Sequence, residues 1–545
     1  MKRTLAFLLV LTLVLGVLTG CGGSTSESTK APETTAAAIA TVGATEATEA
    51  DPSADKYGGT LVYCPGVQDE QNLGNPSAAT NMLMDLNAAP ALESLFRQNA
   101  QGEIVCWLAK DYSVSEDGLV YVIQIREGIS FHDGSPLNAE SVAWNIQMCK
   151  DNGKGQYSRV ETVEVTGEYE VTVTMSLPDI LFLSNIATDP CGLIISKEAY
   201  EKNGPEWCEK NPVGTGPFRF VSWENDVEVV YTRNENYWGV DEEGNQLPYL
   251  DGIRVVYIND TAVSEASLES GDVMTWIRAD SDSVVKFSGK SGFVAEKAGI
   301  PTCNYNLIAC NGTDNPAAIK EVREAVACAV DFDAIVDGLF AATCVSTQQN
   351  SVPGRIYYKE GLVSRTYDPQ RAKELLKQAG YENGVEINFY ASNSTLQEQM
   401  LVAMVPYLEA VGITANVVLL DSGGYFGMLT GNFADGFLMG GYNYSPDEFG
   451  KMYNLASNSA ALKVANTYMD DETYQLFEDA RSSITQEQAA ELVKQVQESI
   501  YVTNRYFISY MTQYECKISA DFVKGAGFFT LGGYHWTPET AYIAK

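Results

Sequence analysis

Histidine is almost missing from this chain: His132 and His535 are the only two in 545 residues. A metal site built from imidazoles and most hydrolase triads need more, so both are poorly supported from the start. There is no Cys-x-x-Cys pair, no Gly-x-Ser-x-Gly, no His-Glu-x-x-His and no Walker loop. The common signatures of metal-dependent, acyl-transfer and phosphate-handling enzymes are therefore missing too. Basic residues are scarce: 36 Lys and Arg stand against 71 Asp and Glu, a formal charge of −35. Such a surface repels phosphate backbones and anionic headgroups, which argues against a nucleic-acid partner. Past the N-terminus no apolar run approaches the 18 or so residues that a membrane span needs.

What is present begins with a short targeting segment. Lys2 and Arg3 precede an apolar run from Leu5 to Val17, too short to cross a bilayer, and residues 1–20 read as a signal peptide. The run closes on Leu18-Thr19-Gly20-Cys21, which resembles the lipobox of bacterial lipoproteins. That resemblance implies that the Cys21 thiol carries a diacylglycerol and anchors the mature chain to the outer face of the cytoplasmic membrane. Without Lys2 and Arg3 the charge becomes 34 minus 71, or −37. Residues 21–56 are dominated by Ser, Thr, Ala, Glu and Gly and are expected to be a disordered tether, since they offer too little apolar surface to offset ordering. About 490 residues follow, enough for two or three domains. Ten further cysteines, at 64, 106, 149, 191, 208, 303, 310, 328, 344 and 516, are even in number but show no disulfide framework, so pairing stays open. The small apolar neighbours of Cys328 suggest a buried thiol.

Periodicity gives the elements. Thr60 to Tyr63 reads as a strand entered from Gly58-Gly59, and Leu119 to Arg126 alternates as a strand that ends at the His132-Asp133-Gly134 turn. Asn138 is placed to cap a helix whose Val142 and Ile146 lie on its buried side. Phe218 to Trp223 and Val227 to Tyr231 form a hairpin across Glu224-Asn225-Asp226. Helices are expected from about Lys320, from Asp368-Pro369 with the proline in the first turn, and from about Gln486. Mixed strands and helices without a repeat indicate an α/β protein.

Several segments in a fixed order resemble the family 5 extracellular solute-binding proteins, the oligopeptide, dipeptide and nickel binders of ABC importers. They are the stretch from Ile125 through Phe131-His132-Asp133-Gly134 to Glu140, Pro212-Val213-Gly214-Thr215-Gly216-Pro217-Phe218, Arg233-Asn234-Glu235-Asn236-Tyr237-Trp238, Leu268-Glu269-Ser270-Gly271-Asp272, Val322 to Asp331, and Tyr367 to Leu376. Most of these residues read as structural. Glycines 128, 134, 214 and 216 serve turns or close backbone approach, Trp223 and Trp238 fill a core or pin a hairpin, and His132 is a turn residue satisfied by its neighbours.

The resemblance implies a two-lobed periplasmic-binding-protein-like α/β fold, class II with an extra inserted domain, hinged on two crossover strands. Lobe I would comprise 57–89, 205–302 and 520–545, its inserted domain 90–204, and lobe II 303–519. The crossings are expected near Cys303 to Asn306 and near Glu515 to Ser519. The ligand would be a small molecule, a peptide or an oligosaccharide, passed to ABC permease subunits by a monomer that needs no cofactor or metal. In peptide binders of this family an aspartate of lobe II pairs with the peptide's α-amino group. Met439-Gly440-Gly441-Tyr442-Asn443 occupies that stretch, with Tyr442 in the aspartate's place. This tilts the expectation slightly toward an oligosaccharide, or toward a peptide held through its backbone. Thr80 and Asn81, after the first strand, and Trp276, as ligand-facing aromatic or as core, complete the candidates. A sensory lipoprotein engaging a receptor, or a sugar-cleaving lipoprotein using two of the 71 carboxylates, remain alternatives.

Overall fold

The computed structural model describes residues 56–66, 72–79, 83–99, 103–299, 301, 303–428, 433–443, 448–456, 467–528 and 536–545. Cys21, Thr80 and Asn81 lie outside them. Two separate sheets dominate. The first has seven strands, in spatial order Phe218–Glu224, Glu228–Arg233, Gly252–Val256, Thr60–Cys64, Thr275–Ile277, Cys516–Ala520 and Phe293–Lys297. Thr60–Cys64 is parallel to its neighbours on both sides, while the hairpin and the three-strand end pair antiparallel. The second sheet has six, in order Cys344–Ser346, Phe507–Gln513, Cys303–Ala309, Phe437–Asn443, Val385–Ser392 and Ile413–Leu420.

The chain passes between these sheets twice, between Lys297 and Cys303 and again at Tyr514 and Glu515. The first passage precedes the residues expected from sequence, and the second overlaps the expected stretch at Glu515. Cys303 to Asn306 already pair with Gln513 to Ser509 in the second sheet, and Cys516 to Ser519 already pair with Phe293–Lys297 in the first. Ladder hydrogen bonds claim every backbone group they can reach, so only the few residues that cannot join either ladder are left to bend.

The second sheet is buried on both faces. Side chains alternate across a strand, so Leu307 and Ala309 join one core with helices Lys320–Ala329, Pro369–Gln378 and Thr395–Ala410, while Ile308 and Cys310 join another with helices Glu448–Ala456, Asp471–Arg481 and Gln486–Glu498. The helix starts obey local rules: Pro369 occupies the first turn after Asp368, whose carboxylate accepts from the Arg371 amide, and Asn138 forms a reciprocal capping pair with Ser141. Val142 and Ile146 are buried as their spacing requires.

Between Glu93 and Ile194 the chain builds its own four-stranded antiparallel sheet, ordered Ala109–Val114, Val120–Ile125, Glu170–Met175 and Val160–Gly167, with its own core. The glycine-rich loop at 212–218 binds this region to the first sheet. A Cβ on Gly214 would stand 2.3 Å from the Ala91 carbonyl oxygen, so only glycine lets the backbones meet. All ten described cysteines are free thiols, and all but Cys106 are buried. No described helix is long and apolar enough to cross a membrane.

Candidate functional site

The strand Cys303–Ala309 holds the centre of the second sheet, and one of its faces changes character along its length. Ile308 faces Leu438 and Phe507 in register, an apolar set. Two residues nearer the crossing, Asn306 stands opposite Gly440 and Ser509, and two further on Asn304 stands opposite Tyr442 and Thr512. Asn304, Asn306, Ser509 and Thr512 are fully buried. Interior amides survive only with partners. The Asn304 amide nitrogen donates to Thr512 Oγ1 at 3.0 Å and to Ser509 Oγ at 3.3 Å, and Asn306 donates to Asn304 Oδ1 at 2.6 Å. Asn306 Oδ1 has no partner among the described residues, which leaves a buried acceptor beside Gly440. The strand Phe437–Asn443 thus carries Met439, Gly440, Gly441, Tyr442 and Asn443 at the hinge end of the sheet, against this polar group. Met439 itself is buried in the apolar core.

The next described element, helix Glu448–Ala456, is fastened at its first residue. Glu448 is 2 % exposed, and its carboxylate accepts from Ser351 Oγ and from Arg355 Nε at 2.9 Å, while its carbonyl accepts from Asn350 Nδ2 at 2.9 Å. Gln497 receives the Asn350 amide and donates to the Tyr357 carbonyl. The loop 347–359 is therefore pinned on both sides, and its tip, Gly354 to Tyr357, forms one wall of a cavity of about 720 Å³. The facing wall belongs to the four-stranded domain, with Tyr112, Tyr121, Asp179 and Ile180. Among the described residues, Met439, Gly440 and Trp276 do not line this cavity; the lining that is described comes from segments that no motif marks.

On the first sheet the parallel strands Thr60–Cys64 and Thr275–Ile277 end side by side at the hinge, the edge where open α/β sheets hold ligands. Arg278 follows directly with φ of 64°, a left-handed conformation unusual for a non-glycine, and its Nε lies 3.3 Å from Glu515 Oε1 in the second crossing. Trp276 is 4 % exposed and packs with Cys64, Leu268, Phe287 and Ile518. Of its two expected roles, core packing describes its surroundings.

Two perturbed groups that could be mistaken for chemistry are structural. Glu93 is 2 % exposed and accepts from Trp107 Nε1, Thr215 Oγ1, Tyr237 OH and Trp238 Nε1 at 2.7 to 3.1 Å, while burial pushes its carboxyl above the usual range. It ties two of the sequence segments, around Thr215 and Tyr237-Trp238, to the four-stranded domain. His132 donates from Nε2 to the Gly216 carbonyl at 2.9 Å, and burial lowers its pKa to about 4. No cluster of three or more metal-ligating side chains occurs among the described residues.

Comparison with known proteins gives a consistent picture. Residues 103–463 match the family model described as bacterial extracellular solute-binding proteins, family 5 middle. The glutathione-binding protein GsiB of Pectobacterium atrosepticum is 29 % identical over 357 residues, covering 64 % of this chain and 67 % of that protein. Among solved structures, the periplasmic binding protein DppA of Helicobacter pylori, in complex with the peptide STSA, superposes with a TM-score of 0.78 at 23 % identity over 90 % of this chain and 99 % of that one. NikZ of Campylobacter jejuni, in complex with Ni(L-His), gives 0.76 at 19 % identity over 87 % and 99 %. At these identities the structures establish the shared two-lobed fold.

Proposed function

Because the chain belongs to the bacterial extracellular solute-binding proteins of family 5, we propose that it captures a short peptide, held mainly through its backbone, between its lobes and presents it to the permease of an ABC importer. The supporting observation is the fully buried Asn304, Asn306, Ser509 and Thr512 group at the hinge end of the second sheet, next to Gly440 and Tyr442. Amides and hydroxyls suit the alternating donors and acceptors of a peptide backbone. Glutathione and a tetrapeptide are what the related GsiB and DppA are named as binding, and both present such a backbone.

The residues divide into lobe I at 57–89, 205–302 and 516–545, an inserted domain at 90–204, and lobe II at 303–515, moving as bodies about the two crossings. Thr80 and Asn81 face the ligand from lobe I, and 439–443 from lobe II. Cys21 carries the lipid that holds this monomer to the outer face of the cytoplasmic membrane, and residues 22–56 tether it there. The chain catalyses no reaction on its ligand.

Tyr442 supports one second reading. Peptide-binding relatives place an aspartate against the ligand's ammonium at this point, and a buried ammonium without that partner loses a hydrogen bond contributing about 1.5–3 kcal/mol. Free peptides should then bind about ten- to a hundredfold more weakly than where the carboxylate is present. A tyrosine can instead stack on a sugar ring, which favours a neutral oligosaccharide. Calorimetry with free peptides, their N-acetylated forms, glutathione and oligosaccharides separates the two. Equal binding of free and acetylated peptides supports backbone capture, binding of oligosaccharides alone supports the second reading, and free-peptide binding abolished by acetylation shows an ammonium anchor that contradicts both.

A further inference from the structure

The four-stranded domain touches lobe II beside the cavity of about 720 Å³, through a group of charges that includes none of the residues placed at the hinge end of the second sheet. Asp179 sits on the loop that follows strand Glu170–Met175, and its carboxylate accepts from Arg481 at the end of helix Asp471–Arg481, from Nε at 3.0 Å and from Nη2 at 2.6 Å. Their side chains are 0 % and 8 % exposed. Beside them Arg159 Nη2 donates to Glu478 Oε2 at 2.9 Å and Arg159 Nη1 to Ser482 Oγ at 3.1 Å. Arg481 Nη2 also donates to Ser158 Oγ, and Tyr453 OH donates to Glu478 Oε1. Two positive and two negative side chains thus alternate across the contact, each cation in one body facing an anion in the other. Burial is completed by Leu181, which leaves its own domain's core and packs at 2 % exposure into the lobe II core with Phe449, Tyr453 and Phe477. The Ile180 amide donates to the Arg481 carbonyl at 3.0 Å, a backbone bond between segments some three hundred residues apart.

These features separate a latch from an ordinary domain seam. Leu181 alone would make an ordinary apolar seam; beside it the Asp179–Arg481 pair is buried on both sides, with Arg159–Glu478 at its rim where the Glu478 side chain is 24 % exposed, and a buried ion pair is costly to assemble dry and harmless once the surfaces part and water returns. We propose that Asp179–Arg481 and Arg159–Glu478, with Leu181, form a closed-state latch between the inserted domain and lobe II, which sets how far the ligand-free protein stays shut. This rests on the reading that the inserted domain moves with lobe I. Every partner in the cluster is a side chain of this protein, so its contribution to closure does not depend on which solute is bound. Removing one charge strands its buried partner in the closed form only, which shifts the population toward the open form. Replacing both by apolar side chains of similar size removes the stranded charge and restores closure.

The test needs no ligand. Small-angle scattering of the full chain, free of solute, compares the unaltered protein with Asp179→Asn, Arg481→Met and the double variant Asp179→Leu/Arg481→Met. Hydrogen exchange at the Ile180 amide is followed in parallel. The expected result is a larger radius of gyration and at least tenfold faster Ile180 exchange in each single variant, with both returning toward the original in the double variant. Unchanged scattering in single variants that still fold overturns the proposal, since it means that the inserted domain travels with lobe II. Loss of folding in the single variants together with a well-folded but open double variant overturns it as well. Because no solute is added, failure here leaves the peptide-capture reading to be judged by its own calorimetry.

Discussion

Replacing His132 by glutamine should flatten the acid side of the protein's stability curve. The residue is half-buried, Nε2 must keep its hydrogen to donate to Gly216, and the buried Nδ1 meets no partner among the described residues. Burial, with Arg219 nearby, lowers its pKa from 6.5 to about 4. In the unfolded chain the imidazole takes its proton as pH falls through 6.5, but in the folded protein it resists until about pH 4. The unfolded state therefore binds more protons in this window. The stabilisation is complete above pH 6.5 and is lost as pH falls toward 4. At about 1.4 kcal/mol per pH unit, the gap corresponds to about 3 kcal/mol. Glutamine keeps a donor for Gly216 and does not titrate. Urea unfolding at pH 7 and pH 4 should show the unaltered protein losing about 3 kcal/mol more than His132→Gln across that interval. Carboxylates contribute equally to both proteins and cancel in the difference. Equal losses would mean that the ring is hydrated or already charged, and the turn-residue assignment of His132 would fail.

Three further outcomes follow from particular contacts. Gly436, at φ of 67°, would bring an added Cβ to 2.1 Å from the Asn388 carbonyl oxygen, so Gly436→Ala should cost about 3 kcal/mol or more in thermal or urea unfolding, combining backbone strain with overpacking; an unchanged midpoint would contradict the strand geometry. Glu448→Ala removes the carboxylate that accepts from Ser351 and Arg355 beside the cavity and should lower stability by about 2–3 kcal/mol in the same assay while weakening solute binding; unimpaired binding of the solute identified by calorimetry would detach this network from the site. Cys21→Ser should abolish incorporation of radiolabelled fatty acid, and continued labelling would refute the anchor.

The elements were legible because their signals are local. Asn138, Asp368-Pro369 and the 212–218 loop announce caps and turns within a few residues, and the periodic helices and the 218–233 hairpin formed where spacing put them. Contacts between distant segments carry no such signal. Asn304 meets Thr512 across 208 positions, and Asp179 meets Arg481 across 302. Trp276 was ambiguous because Thr275–Ile277 is three residues long and buried throughout, too short for alternation to show a face. The first crossing lies a few residues before the expected Cys303 to Asn306, and the second shares only Glu515 with the expected stretch, because Cys303 and Cys516 look no different from their neighbours and only strand pairing reveals that they already belong to a sheet. Tyr442 drew notice in the sequence, but the buried Asn304, Asn306, Ser509 and Thr512 group opposite its strand did not, since Asn304 and Thr512 lie 208 residues apart.

Native mass spectrometry of the full chain, presented with a mixture of short peptides, glutathione and oligosaccharides, tests whether this protein captures and carries a solute. One solute should remain bound, one per chain, and be recovered chemically intact on release. No adduct with any of them, or release of a cleaved product, would contradict solute capture as what this protein does.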